Sequence, residues 1–278
     1  MQETKHTFPT VLTIAGFDGS GGAGIQADIK TISALGGYAT SVLTALPIQN
    51  TMGVKQVYPI PSAIVAAQLE TVLEDIRPHA IKIGMLHKTA HIEAICTVLS
   101  GYPDIPVILD PVMISSSGTR LLDTSAIATM QSLLFPVIAL LTPNMDEAAI
   151  LAGISVQSVS DMERAGKIIL QQGCPAVLVK GGHMEGAELQ AIYVTVKGEQ
   201  HTFTQPRVDS TNTHGTGCTL SAAIATFLAK GYTMIKAIEA AQEYVHKAIL
   251  ASKGVHIGSG KGSLNHFFDP QVMHTINI

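Results

Sequence analysis

Short aliphatic runs alternate with helical stretches along most of this chain, and no other feature restricts its fold as strongly. Val11–Gly16 reads as a buried strand, and Ala23–Leu35 as a helix closed by Gly36-Gly37. Tyr38–Leu46 reads as the next strand. Ser62–Ile76 has the spacing of a strong helix, with Ser62 placed to cap it. Strand Ala80–Ile83, helix Thr89–Leu99, strand Val107–Leu109, helix Ser125–Leu134, strand Val137–Leu141, helix Met162–Gln172 and strand Ala176–Val179 follow. Strands separated by helices need crossover connections. The pattern therefore predicts an α/β fold with a mostly parallel central sheet and helices on both faces. The rule then changes. Gln190–Val196 and Gln200–Gln205, joined at Lys197-Gly198, predict an antiparallel edge hairpin. Helices Thr216–Lys230 and Ile235–Ala251 come next, and the glycine-rich tail Gly254–Phe268 reads as a loop over the sheet's edge.

No linker, low-complexity segment or internal repeat divides the chain, so residues 1–278 read as a single domain. With 46% hydrophobic and 14% charged residues, the chain can bury a substantial core. Net charge is -4 and no basic run occurs, which argues against a nucleic-acid surface. Each apolar stretch is interrupted before it reaches membrane-spanning length, and Met1–Pro9 has no signal-peptide core. Cys96, Cys174 and Cys218 are scattered and odd in number, so neither a disulfide framework nor a zinc site is expected. A reducing cytoplasm is the expected location.

In open α/β sheets, ligands sit beyond the carboxyl ends of the strands. Polar residues gather at those positions here. Asp110-Pro111 follows one strand, Thr142-Pro143-Asn144 another, and Lys180-Gly181-Gly182-His183 a third. His214-Gly215-Thr216-Gly217-Cys218-Thr219 then opens an apolar helical run. Its glycines let successive N–H groups point at one anion, at the positive end of a helix. A thiol in that first turn is expected to have a lowered pKa, which makes Cys218 a candidate base or nucleophile. The plainer reading is a turn, a cap and a small buried hydrophobe. Gly19–Gly24 matches G-x-G-x-x-G, but no Asp or Glu lies between Asp28 and Glu70 to hold a ribose, which disfavours a dinucleotide. The loop is instead expected to close over a small substrate, with Asp28 reaching back from its helix. Asp110, Asn144 and Glu147 are oxygen donors suited to Mg²⁺, although Asn144 and Glu147 also suit a helix cap. Lys180 suits a phosphate. A Cys218–His214 hydrolase pair is an alternative, but it leaves Lys180 and the acid cluster without a task.

The blocks Ala15-Gly16-x-Asp18-x-Ser20-Gly21-Gly22-Ala23-Gly24-Ile25-Gln26-Ala27-Asp28, Gln49-Asn50-Thr51, Lys82-x-Gly84-Met85-Leu86 and Asp110-Pro111-Val112-Met113 occur in order. Thr142-Pro143-Asn144-x-x-Glu147-Ala148, Val179-Lys180-Gly181-Gly182-His183 and the His214–Thr219 motif complete the series. Together they resemble the hydroxymethylpyrimidine/phosphomethylpyrimidine kinases of thiamine biosynthesis, within the ribokinase-like superfamily. The resemblance runs from about Val11 to Phe267. It implies ATP-dependent phosphorylation of a pyrimidine hydroxymethyl group, then of the monophosphate, with ATP and Mg²⁺. By resemblance Cys218 is the base, Gly215, Thr216, Gly217 and Cys218 form the anion hole, and Lys180, Asn144 and Thr213 contact the nucleotide phosphates. Asp110 and Glu147 are the implied Mg²⁺ pair. Gln49 is the implied reader of the aminopyrimidine edge, with Gly16, Asp28, Met85 and Val112 around it. A homodimer is expected, with a small-molecule substrate and no nucleic-acid or membrane partner. Pyridoxal kinase, of the same superfamily, is the alternative, and a non-catalytic pyrimidine-binding protein is a further one. The chain departs from the family pattern at Phe17, at Pro47-Ile48 and in the tail Gly258–Ser263.

Overall fold

The computed structural model describes residues 6–114, 118, 120–182 and 186–277. Its centre is an eight-stranded sheet. Strands β2 (Thr10–Ala15), β3 (Tyr38–Leu43), β6 (Ala80–Ile83), β7 (Val107–Leu109), β8 (Leu140–Leu141) and β9 (Ala176–Lys180) run parallel. The antiparallel hairpin β10 (Glu188–Thr195) and β11 (Gln200–Pro206) extends one edge. Across the sheet the order is β11-β10-β9-β8-β7-β6-β2-β3. Chain order therefore reverses beside β2, which has β3 on one side and β6 on the other, and such a reversal opens a crevice at the strand ends.

Two apolar layers cover the sheet, and side-chain alternation sorts the strands between them. Leu12, Ile14, Ile81, Ile83, Leu109, Val177 and Val179 face one layer, built with α2 (Ser62–Asp75), α3 (Thr89–Leu99), α4 (Thr124–Thr129), α5 (Met145–Ala152) and α6 (Val159–Leu170). Val11, Ala80, Ile108, Leu140 and Leu178 face the other, built with α1 (Gly24–Ala34), α7 (Thr216–Ala229) and α8 (Met234–Ser252). Burial on both faces explains why the central strands read as largely aliphatic runs.

Three local expectations are corrected. The strand expected over Tyr38–Leu46 ends at Leu43, and Ala45–Asn50 (β4) turns away to pair with Gly53–Pro59 (β5) as a separate two-stranded sheet. Ser62 is the first residue of α2; Pro61 holds the cap position, and no side chain caps the end. The strand expected over Val137–Leu141 shrinks to Leu140–Leu141, because α4 runs on as a π-helical turn (Met130–Leu134) and a 3₁₀ turn containing Pro136. His6–Thr7 (β1) also pairs antiparallel with Ile276–Asn277 (β12).

Candidate active site

Two glycine-bearing loops meet at the carboxyl end of β2. The loop from β2 to α1 is organised by Asp18, which is almost fully buried. Its Oδ1 accepts hydrogen bonds from the Ser20 amide (2.9 Å) and hydroxyl (2.7 Å). Its Oδ2 accepts from the Gly22 and Ala23 amides at 3.1 and 2.7 Å. His214 Nε2 lies 2.8 Å from the same oxygen and latches this loop to the one preceding α7. Burial opposes the Asp18 charge, but the bonds from His214, Ser20 and Ala23 hold the carboxyl well below the usual carboxylate range. Gly215 caps α7 with φ +86°, and a Cβ there would stand 1.8 Å from the Gly22 carbonyl oxygen. Only glycine permits both that backbone and that approach.

The first turn of α7 lies over a buried ion pair. Lys180 Nζ donates to Asp110 Oδ1 at 2.8 Å, and a Cβ on Gly217 would be 3.4 Å from both Lys180 Nζ and Asp110 Oδ2. Lys180, at the end of β9, is placed by its amide bond to the Pro143 carbonyl (2.8 Å) and by a bridge to Asn144. Burial disfavours the Lys180 ammonium; the charges of Asp110 and Glu147 outweigh it and keep the group protonated. Asn144 and Glu147 form a reciprocal capping box on α5, with bonds of 2.9 and 2.8 Å. Glu147 is pushed up to about 7, chiefly by burial and, against the pull of Lys180, by the neighbouring Asp110 charge. Capping and a share in a cation site are therefore compatible for Asn144 and Glu147. Among the described residues no three metal-binding side chains converge. Two hard, mutually repelling carboxylates nonetheless fit a divalent cation that takes its remaining ligands from phosphates and water.

Asp28 departs from expectation. It has no exposed surface and faces β6, where Lys82 Nζ lies 3.0 and 2.8 Å from its oxygens; the Thr13 hydroxyl donates to it at 2.5 Å. Its carboxyl group is therefore engaged by Lys82 and Thr13. Lys82 is likewise fully buried. Burial disfavours its ammonium, and Asp28, Cys218 and Asp110 outweigh that and raise its pKa. Cys218, partly buried in the first turn of α7, is also corrected. Its thiol is pushed up to about 11 rather than down, because burial and the Asp28 and Asp110 charges outweigh Lys82 and the Gly24 amide. The helix start alone does not set that pKa.

The remaining candidates gather beside β2. Met85 packs with Ala45, Leu121, Val57 and Val112 in a small apolar cluster. Its sulfur lies 3.0 Å from where a Gly16 Cβ would be, and its carbonyl accepts the Thr44 hydroxyl at 2.6 Å. Gln49 sits on β4 at a register break after Ile48, and its carbonyl oxygen is 3.8 Å from a Cβ built on Gly19. The β4–β5 hairpin thus hangs over the glycine loop. Thr213 is exposed, its carbonyl accepting the Thr216 amide at 3.3 Å. His183 lies outside the described residues. Sequence reasoning assigned no role to Lys82 or to the Asp18–His214 latch. A lysine inside an apolar strand and an Asp two residues before a Ser were the available signals.

A sequence model of the phosphomethylpyrimidine kinase family matches residues 18–265. The hydroxymethylpyrimidine/phosphomethylpyrimidine kinase of Escherichia coli (strain K12) is 46% identical over 257 residues, covering 92% of this chain and 96% of that protein. The crystal structure of phosphomethylpyrimidine kinase from Clostridium difficile 630 superposes with a TM-score of 0.76 at 42% identity, covering 86% of this chain and 99% of that one. The pyridoxal kinase of Staphylococcus aureus in complex with ADP superposes with a TM-score of 0.86 at 31% identity, covering 98% of this chain and 100% of that one.

Proposed function

This chain belongs to the phosphomethylpyrimidine kinase family, and from that premise we propose how its crevice performs the reaction. It is a phosphotransferase of thiamine biosynthesis with a ribokinase-like fold. It phosphorylates 4-amino-5-hydroxymethyl-2-methylpyrimidine and then the resulting monophosphate, with ATP as donor. The observation that carries the site assignment is the stacking of Gly217 over the Lys180–Asp110 pair at the start of α7. That arrangement brings the backbone of a helix start and an ammonium to one place, which suits a reaction that depends on positioning and charge neutralisation.

In this reading Gly215, Thr216 and Gly217 supply N–H groups to the transferred phosphoryl, and Lys180 meets its oxygens. Asn144 and Thr213 border the nucleotide phosphates. Asp110 and Glu147 hold Mg²⁺, which supplies charge neutralisation when bound. Cys218, as thiolate, takes the proton of the hydroxymethyl oxygen while that oxygen bonds to phosphorus and ADP leaves. Lys82, beneath it, favours the thiolate against burial. Gly16, Met85 and Val112 frame the ring, and Gln49 offers it one donor and one acceptor. The three free thiols among the described residues support a reducing, cytoplasmic setting, and the reading includes a homodimer, which sedimentation tests.

ATP turnover measured separately with the aminopyrimidine alcohol, its monophosphate and pyridoxal tests this function. Both pyrimidines should support turnover. ATP consumption with neither would overturn the assignment. The close superposition on a pyridoxal kinase favours a second activity, and turnover in the pyridoxal arm would establish it.

A further inference from the structure

The tail Gly258–Ser263 departs from the family pattern, and the reaction scheme gives it no part. Its glycines are nevertheless held at contact distances that no side chain would survive. A Cβ on Gly260 would stand 1.9 Å from the carbonyl oxygen of Thr51, at the tip of the β4–β5 hairpin. A Cβ on Gly262 would stand 1.8 Å from Asn212 Oδ1. The Gly260 amide donates to Thr51 Oγ1 at 3.2 Å, so one end of the segment grips the hairpin. At the other end the His214 amide donates to the Gly262 carbonyl at 3.0 Å, and Ser263 bridges to His214. Asn212 is fixed in turn by its bonds to the Ser252 and Val255 carbonyls, at 2.5 and 2.8 Å. His214 is the residue latched to Asp18 and directly precedes Gly215.

We propose that Gly258–Ser263 is a strap that sets the height of the β4–β5 hairpin over the crevice, with Thr51 as its positioning residue. The strap joins the hairpin carrying Gln49 to the loop that opens the phosphate cradle. It therefore fixes the distance between the ring-reading and phosphate-binding halves of the site. Thr51 lies two residues beyond Gln49 on the same hairpin, so a hairpin released from the strap presents Gln49 at the wrong height. The inference rests on the reading of Gln49 as the ring contact.

Steady-state kinetics with 4-amino-5-hydroxymethyl-2-methylpyrimidine and ATP test it, alongside melting temperatures. Thr51→Val keeps the side chain's volume and removes the acceptor for the Gly260 amide. It should raise KM for the pyrimidine about two- to tenfold, the usual range for one lost hydrogen bond. Thr51→Ser should restore the parental value. Gly260→Ala, which drives a methyl group into the Thr51 carbonyl, should raise the same KM about tenfold or more, as small misplacements in reactive sites do. In all three, KM for ATP should stay parental, because the bonds to Asn212 and His214 are untouched, and in the two Thr51 variants the melting temperature should stay parental as well. Gly262→Ala acts at the other end and should raise KM for ATP. A parental pyrimidine KM in both Thr51→Val and Gly260→Ala would overturn the proposal. So would parallel losses in both KM values with a lowered melting temperature, since the contact would then only support the fold. Gln49→Met separates the underlying reading. If it leaves the preference for pyrimidine over pyridoxal unchanged while Thr51→Val still raises KM, the assignment of Gln49 fails and the strap stands.

Discussion

Replacing Lys82 by methionine should destabilise the protein far more than its size change implies. Lys82 and Asp28 have no exposed side-chain surface, and the ammonium lies 2.8 Å from the nearer carboxylate oxygen. Removing the cation leaves Asp28 buried with the Thr13 hydroxyl and no counter-charge. Breaking a buried pair on one side costs about 3–5 kcal/mol. At about 2–4 °C per kcal/mol for a domain of this size, the melting temperature should fall by about 6–20 °C. The loss should depend on pH with a definite sign. Burial raises the pKa of Asp28, and without Lys82 only the Thr13 hydroxyl opposes it. The folded variant then holds a proton more tightly than the unfolded chain, whose Asp titrates near ~3.9. That proton stabilises the fold at low pH, and the benefit is lost as pH rises. The deficit should therefore grow from about pH 4 upward. Urea unfolding at several pH values, with Asp28→Leu and the double variant Asp28→Leu/Lys82→Met, completes a cycle. The double variant should recover most of the loss, because two apolar groups replace the pair. A single-variant cost below about 1 kcal/mol, or a double variant no better than the single, would refute the reasoning. Alkylation of Cys218 should also slow in Lys82→Met, since Lys82 is the charge that favours its thiolate.

Cys218→Ala should lower kcat on the order of 10²–10⁴-fold with little change in pyrimidine Kd, as measured by stopped-flow turnover and calorimetry. Because the resting thiol is pushed up to about 11, parental kcat should climb with pH through the neutral range, and the Ala variant should lose that slope. Glu147→Gln should raise the Mg²⁺ concentration for half-maximal rate and leave pyrimidine affinity intact; a Mg²⁺ titration checks this. His266 is buried against the Thr219 hydroxyl, and burial pushes it down to about 4. The unfolded chain, with His near ~6.5, binds the proton more tightly, so stability should fall as pH drops from about 6.5 to about 4. His266→Gln should flatten that dependence, with melting temperature against pH as the readout.

The layered fold was legible because both faces of the sheet are buried. Most central strands then become short, largely aliphatic runs, and the runs separated by helices leave little choice of architecture. The polar cluster was legible for a related reason: Asp110, Asn144 and Lys180 interrupt those runs where strands end. What stayed hidden depends on direction rather than position. Asp28 follows the glycine loop, yet its place on α1 turns it inward to β6, and no periodicity announces a buried carboxylate whose partner stands 54 residues away. Lys82 gave a weak signal, since one charge in a short apolar strand also suits an edge residue. The β4–β5 hairpin escaped because Ala45–Asn50 continues the apolar character of β3, and its turn residues Thr51-Met52 are not turn formers. The thiol pKa was misjudged because the helix start was weighed without the burial of the thiol and the two carboxylates beside it.

The helix that opens with the phosphate cradle is enclosed along most of its length: from Thr219 to Ala229 only Leu228 escapes burial. Its amides can meet solvent deuterium only when much of the molecule opens, so their exchange should track global unfolding. The β4–β5 hairpin is only partly covered; Leu46, Ile48, Met52 and Tyr58 stand exposed. Its amides should exchange through local opening, many orders of magnitude sooner. The molecule thus divides by timescale as well as by place. The body of the helix behind the phosphate cradle belongs to its slowest part, and the hairpin that carries Gln49 belongs to a faster one, so one wall of the crevice can move while the helix keeps its geometry.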